Sequence, residues 1–243
     1  MISDFNCKIF NTDRLNLLDP SVDVELAAER INSDLEILDS LGIHRLFCQV
    51  PYNEDLTLNK TFSKMTALEK FIRSSVNRSI RKKFTISVVP SIHLSENAPF
   101  ITDIDSLTVV NTNYMFVDLP ISVVYPDYLD GTINKILYNC KLLPIFNDFH
   151  NFSYIHQNTP ELERIMKIKG AAFGFSLSSK CFTKSIETIK QIYGNGNFVL
   201  LSTSCEHDSF NISRISKNLA ILRERLPSRI YLDIILKSHA FLR

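Results

Sequence analysis

The chain has no tryptophan, only six glycines and nine prolines among 243 residues, and no two cysteines with CxxC spacing. So little Gly and Pro excludes collagen-like and linker-rich chains, which need far more of both. The five cysteines, Cys7, Cys48, Cys140, Cys181 and Cys205, are scattered and odd in number. Neither a disulfide framework nor a zinc knuckle is expected, and this usage points to a reducing cytoplasm. An excess of charge is missing too. Lys and Arg number 27 against 26 Asp and Glu, a formal net charge of +1. That balance points away from nucleic acid and anionic membranes. No apolar run approaches ~18 residues, the length of a membrane-spanning helix. The first residues, Met1-Ile2-Ser3-Asp4-Phe5-Asn6, include an acid and no apolar stretch of signal-peptide length.

What remains is the composition of a folded protein, 45% hydrophobic and 22% charged. With no compositional break or linker, one domain over residues 1–243 is expected. Short runs rich in Val, Ile, Phe and Leu lie at Phe5 to Phe10, Arg45 to Val50, Phe84 to Val89, Tyr114 to Leu119, Leu142 to Asn147, Ala171 to Leu177 and Phe198 to Ser202. Runs of this length and composition predict buried strands.

Helical patterns separate most of them. Apolar residues recur near every 3.6 positions from Val22 to Leu41, with Gly42 as a stop signal, and again from Leu58 to Lys83. Further helices are expected over Asp127 to Cys140, after Thr159-Pro160, around Ile186 to Ile192, over Ile212 to Leu222, and from about Ser228 to Phe241. The stretch Ser95 to Asn113 reads as a loop or short hairpin. Alternating strands and helices predict an α/β protein with a mainly parallel sheet, and at this length a closed barrel of βα units. Its site would lie at the strand C-terminal ends.

Common catalytic signatures are absent. No Cys has an Arg six positions later, as a thiolate phosphatase requires; Cys205 meets Asn211 there. There is no P-loop and no GxSxG elbow. Gly194-Asn195-Gly196 precedes a strand and reads as a turn. Arg78, Arg81, Lys82 and Lys83 close a helix, where cations complement its dipole or bind an anion.

At the strand ends the chain resembles the polymerase and histidinol phosphatase (PHP) superfamily. The nearest branch is the bacterial manganese-dependent tyrosine-protein phosphatases of exopolysaccharide operons. Asp4-Phe5-Asn6-Cys7-Lys8-Ile9-Phe10 is similar to the family's opening Asp-Ile-His-Cys-His-Ile-Leu. Val50-Pro51-Tyr52-Asn53 stands for Thr-Pro-His-His, and Pro90-Ser91-Ile92-His93 for Pro-Gly-x-Glu. Tyr114 to Pro120 resembles the strand that carries a family Glu, and Pro144 to Asn151 the motif Pro-x-x-Ala-His-Pro-Glu-Arg. Gly170-Ala171-Ala172-Phe173 matches a Gly-Ala strand, and Ser202 to His207 covers the family's Ser-Asp-Ala-His within one or two residues.

The resemblance implies a distorted (β/α)7 barrel of PHP type. In the family, histidines and carboxylates hold metals that activate water and clamp a phosphoryl group. Here Asn6, Lys8, Tyr52, His93, Asp148, Cys205 and His207 fall at or near the degenerate positions. Lys8 places an ammonium where a cation should bind. His93, Asp148 and His207 are the set for a rearranged site with Mn, Fe or Zn; the alternative is that they fill a mouth without metal. His150, near the same ends, stands with Asn151 where the family keeps an Arg. Lys8 either pairs with Asp4, Asp118 or Asp148 inside the mouth, or serves as an anion site for a phosphotyrosine protein or sugar phosphate. The expected reading is a tyrosine-phosphatase-like, metal-poor protein with a binding or regulatory role in exopolysaccharide biosynthesis. The alternative is an active metal-dependent phosphoesterase, and a third is a purely structural subunit.

Overall fold

The computed structural model describes residues 2–10, 23–52, 58–101, 103–152, 154–155, 160–204 and 211–242. Seven strands form one sheet in sequential order, and every pair is parallel. They are β1 (Ile2–Asp4), β2 (Ile43–Tyr52), β3 (Thr85–His93), β4 (Tyr114–Asp118), β5 (Leu143–Phe146), β6 (Ala172–Ser176) and β7 (Phe198–Ser202). The sheet curls until its edges meet. Phe5 N–H donates to the Leu201 carbonyl at 3.2 Å, and Ser204 N–H to the Asn6 carbonyl at 3.2 Å. The result is a nearly closed (β/α)7 barrel.

Helices cover the outside: α1 (Val24–Ser40), α2 (Leu58–Ser75), α3 (Arg78–Arg81), α4 (Leu129–Asn134), α5 (Pro160–Met166), α6 (Ser185–Gly194), α7 (Ile212–Arg225) and α8 (Ser228–Ala240). Side chains alternate along each strand, which sorts them between two cores. In β2, Leu46, Cys48 and Val50 join Leu35 and Leu38 of α1 in the outer layer. Phe47 instead points inward and joins Phe5, Phe116, Leu200 and Phe241. Phe5 and Phe47 stack at 4.8 Å, and the Phe241 ring meets Phe198 and Tyr114 at 4.8 Å each. The barrel interior is therefore a packed aromatic core and no pore. Arg45 closes its N-terminal end by donating to the carbonyls of His239, Phe241 and Leu242 at 2.6–2.9 Å.

Two expectations need correction. The first strand is Ile2–Asp4 and not Phe5 to Phe10. The Asp4 carboxylate accepts the Asn6 N–H at 3.2 Å, a local side-chain turn that bends the chain out of the ladder. The helix expected from Leu58 to Lys83 is two, because the Asn77 side chain accepts from Ser79 N–H and starts a new one. The stretch Ser95 to Asn113, expected as a loop or short hairpin, is a loop with two 3-10 turns, Ala98–Phe100 and Ile104–Leu107, and no strand among its described residues. The stop signal at Gly42 is present as a left-handed residue with φ of 71°. No helix among the described residues is long and apolar enough to cross a membrane.

Candidate functional site

Directly above the aromatic core the inward side chains become polar. Gln49 of β2 and Asn147, just after β5, face each other across the barrel. Gln49 Nε2 donates to Asn147 Oδ1 at 2.9 Å, and Asn147 Nδ2 returns a bond to Gln49 Oε1 at 2.6 Å. Asn147 Nδ2 also reaches Asp118 Oδ1 at 3.0 Å, and Gln49 Nε2 the Phe5 carbonyl at 2.8 Å. This network ties β1, β2, β4 and β5 together. Its members have partners, as buried polar groups require.

Asp148 is the hub of the next layer. Its Oδ2 accepts Asn6 Nδ2 at 3.0 Å and faces the Lys8 ammonium at 3.9 Å. Its Oδ1 accepts the Ser202 hydroxyl at 3.1 Å and the Ser204 hydroxyl. Asp148 and Ser204 both adopt left-handed backbone, with φ of 43° and 45°. Non-glycine residues are uncommon in that region, and two bonded to each other in the mouth mark a held geometry. The approach of β6 makes room for it. A Cβ at Gly174 would lie 3.1 Å from the Phe146 carbonyl and 3.5 Å from the Asp148 nitrogen.

Asp4 locks the seam between the first and last strands. It accepts Thr203 N–H at 2.9 Å and the Thr203 hydroxyl at 2.6 Å. Burial nevertheless dominates and pushes its carboxyl up to about 6, with the negative charge of Asp148 adding to the rise. Asp118 is also raised by burial; its bond from Asn147 and the Lys8 charge act in the opposite direction.

The structure brings Asn6, Lys8 and Asp148 together. Lys8 pairs with Asp148, and its side chain keeps 39% of its surface exposed. His93 is exposed at the end of β3, in register with Asp118 of β4. Tyr52, half-buried at the end of β2, packs against the sheet-helix core. His150 is buried outside the mouth, stacked on Phe175 at 5.5 Å and edge-on to Phe182 at 6.3 Å. Cys205, His207, Asn53 and Thr159 lie outside the described residues. Sequence reasoning missed Gln49, Asn147, Ser202 and Ser204 as parts of the site. Gln49 carried a signal, since it is the one amide inside the apolar run Leu46 to Val50.

The sequence resemblance implies divalent metals, and the described donors do not fit them. Manganese, iron and zinc want several imidazoles or carboxylates with free lone pairs. The described mouth offers amides, hydroxyls, an ammonium, carboxylates already engaged in hydrogen bonds, and a single imidazole, the exposed His93 at the end of β3. Among the described residues, no group of three His, Cys, Asp or Glu is arranged to hold a metal ion.

Seven sequential parallel strands with a polar mouth at their C-terminal ends define a nearly closed (β/α)7 barrel. A solved structure has the same architecture over 100% of this chain and 94% of its own, with a TM-score of 0.67 and 16% identity. It belongs to the pair YwqE from Bacillus subtilis and CpsB from Streptococcus pneumoniae, described as unique metal-dependent tyrosine phosphatases. At that identity the likeness establishes the fold alone. No family model matches the chain, and no curated protein matches it.

Proposed function

We propose that this chain is a tyrosine-phosphatase-like barrel whose mouth binds a phosphorylated ligand without hydrolysing it. The observation that carries this reading is the Asp148 carboxylate, held by Asn6, Ser202 and Ser204 and faced by Lys8. A carboxylate engaged on both oxygens has little left for a metal. An ammonium beside it repels a divalent cation and replaces its charge. Lys8 is exposed enough to meet an anion from solvent, and lysine binds phosphate as a point charge. The ligand class is a phosphotyrosine protein or a sugar phosphate, and the sequence resemblance suggests exopolysaccharide synthesis as the setting.

The test is calorimetric titration of the full chain with phenyl phosphate, with and without manganese, followed by an assay for released phosphate. Metal-independent binding that falls at least about tenfold in Lys8→Met, without phosphate release, is expected. Stoichiometric manganese with hydrolysis would establish the rearranged phosphoesterase instead. No binding in either condition would leave the structural-subunit reading.

A further inference from the structure

We propose that the unpaired edge of β3 is a docking site for an extended peptide segment with an acidic residue among apolar ones. This surface is on the barrel flank and does not depend on the reading of the mouth.

The first observation is a gap in the barrel wall. β3 pairs with β2 from Thr85 to Ile92, but with β4 only at Ser91, Ile92 and His93. Among the described residues no strand pairs with the β4-facing side of Thr85 to Val89. Half the backbone groups of a strand point to each side, so this stretch presents unused N–H and C=O groups.

The second is missing cover. In a (β/α) barrel a helix normally packs over each strand-to-strand connection. Among the described residues between β3 and β4 there are only two 3-10 turns. Ile86, Ser87 and Val88 are consequently half-exposed, whereas all five residues of β6 are buried. A cleft of about 480 Å³ lies there, and it reaches inward as far as Phe47. Phe84, Ile86, Val88 and Val109 supply its apolar walls, and Val110 stands 75% exposed among its lining residues.

The third observation is charge. Two arginines, Arg73 and Arg81, line the cleft against one acid, Glu69. Arg81 is anchored through the carbonyls of Ile72 and Arg73, and the exposed Arg73 sits 3.9 Å from Glu69. The excess positive charge fits an acidic side chain. Apolar walls fit alternate apolar ones. The unpaired strand edge selects a peptide, because only another backbone offers N–H and C=O groups at matching spacing. At ~3.3 Å per residue, the open stretch takes a segment of about five residues.

The test is to pan a displayed library of random decapeptides against the full chain. The enriched peptides are synthesised with a fluorophore and titrated by anisotropy. Enrichment of segments alternating apolar and polar residues with at least one Asp or Glu is expected. Binding should weaken about tenfold in Arg73→Glu and in Val110→Glu, both at exposed positions. Hydrogen exchange should slow at amides within Ile86 to Val89 when peptide is bound, the direct mark of strand addition. No enrichment, wild-type affinity retained in both variants, or protection confined to other strands would overturn the proposal. Concentration-dependent dimerisation abolished by Val110→Glu would also overturn it, by assigning the edge to a second copy.

Discussion

At the N-terminal end of the barrel, Phe241 and its neighbouring rings fill the interior and Arg45 caps the last carbonyls. At the opposite end, Asp148, Asn6, Gln49 and Asn147 fill the same cross-section with hydrogen bonds. The two ends differ in what a change would cost. The aromatic end is sustained by area and packing, which no ligand replaces. The polar end is sustained by directional bonds and charges, which water or an anion can replace in part. Stability should therefore respond most at the closed end, and ligand binding at the mouth.

The largest effect is expected from Phe47→Ala, which empties the stacked pair with Phe5. A fully buried Phe truncated to Ala costs roughly 3–5 kcal/mol, and urea denaturation should show the midpoint falling without a change in mechanism.

The next concerns pH and belongs to the mouth. The Asp4 carboxyl is raised from 3.8 to about 6 in the folded chain, so the native state binds its proton more tightly than the unfolded one. Stability must then fall as pH rises through this window, by up to about 3 kcal/mol. Asp118 is raised as well and adds to the same slope. In Asp4→Asn, thermal melts between pH 4 and 6 should show a clearly flatter profile with a residual slope. An unchanged slope would mean that the seam carboxylate is not the group responsible.

Arg45→Met keeps the apolar stem but removes three bonds to the C-terminal carbonyls. About 2 kcal/mol of destabilisation is expected, given the worth of hydrogen bonds from a charged donor. Amide exchange should accelerate at the end of α8 before it does elsewhere. The smallest stability effect belongs to Lys8→Met. A pair at 3.9 Å whose lysine is 39% exposed contributes at most about 1 kcal/mol. If Lys8→Met unfolds the chain as readily as Phe47→Ala, the distinction between the ends fails.

The barrel was legible because its strands are short, apolar and evenly separated. Phe198–Ser202 was predicted to the residue, and the other strands after the first overlap their runs closely. The first strand was misplaced because Phe5, Ile9 and Phe10 are as apolar as strand residues. What ended the strand was the Asn6 N–H donating to the Asp4 side chain, which periodicity does not register. The site was legible in part. Asn6, Lys8 and Asp148 were read from the departures at metal positions, and they do meet. Ser202 and Ser204 were not, because nothing in a serine's local sequence says that a carboxylate 54 or 56 residues earlier needs its hydroxyl. His150 looked like a mouth residue by position, yet its ring stacks on Phe175. One step along the chain after a strand decides which layer a side chain enters.

The most direct test of the central claim is manganese titration of the purified full chain by calorimetry, with elemental analysis of the dialysed product. The account predicts no stoichiometric manganese in wild type, because both Asp148 oxygens are engaged and the Lys8 ammonium faces them. One or more tightly bound manganese ions per chain, retained through dialysis, would contradict it.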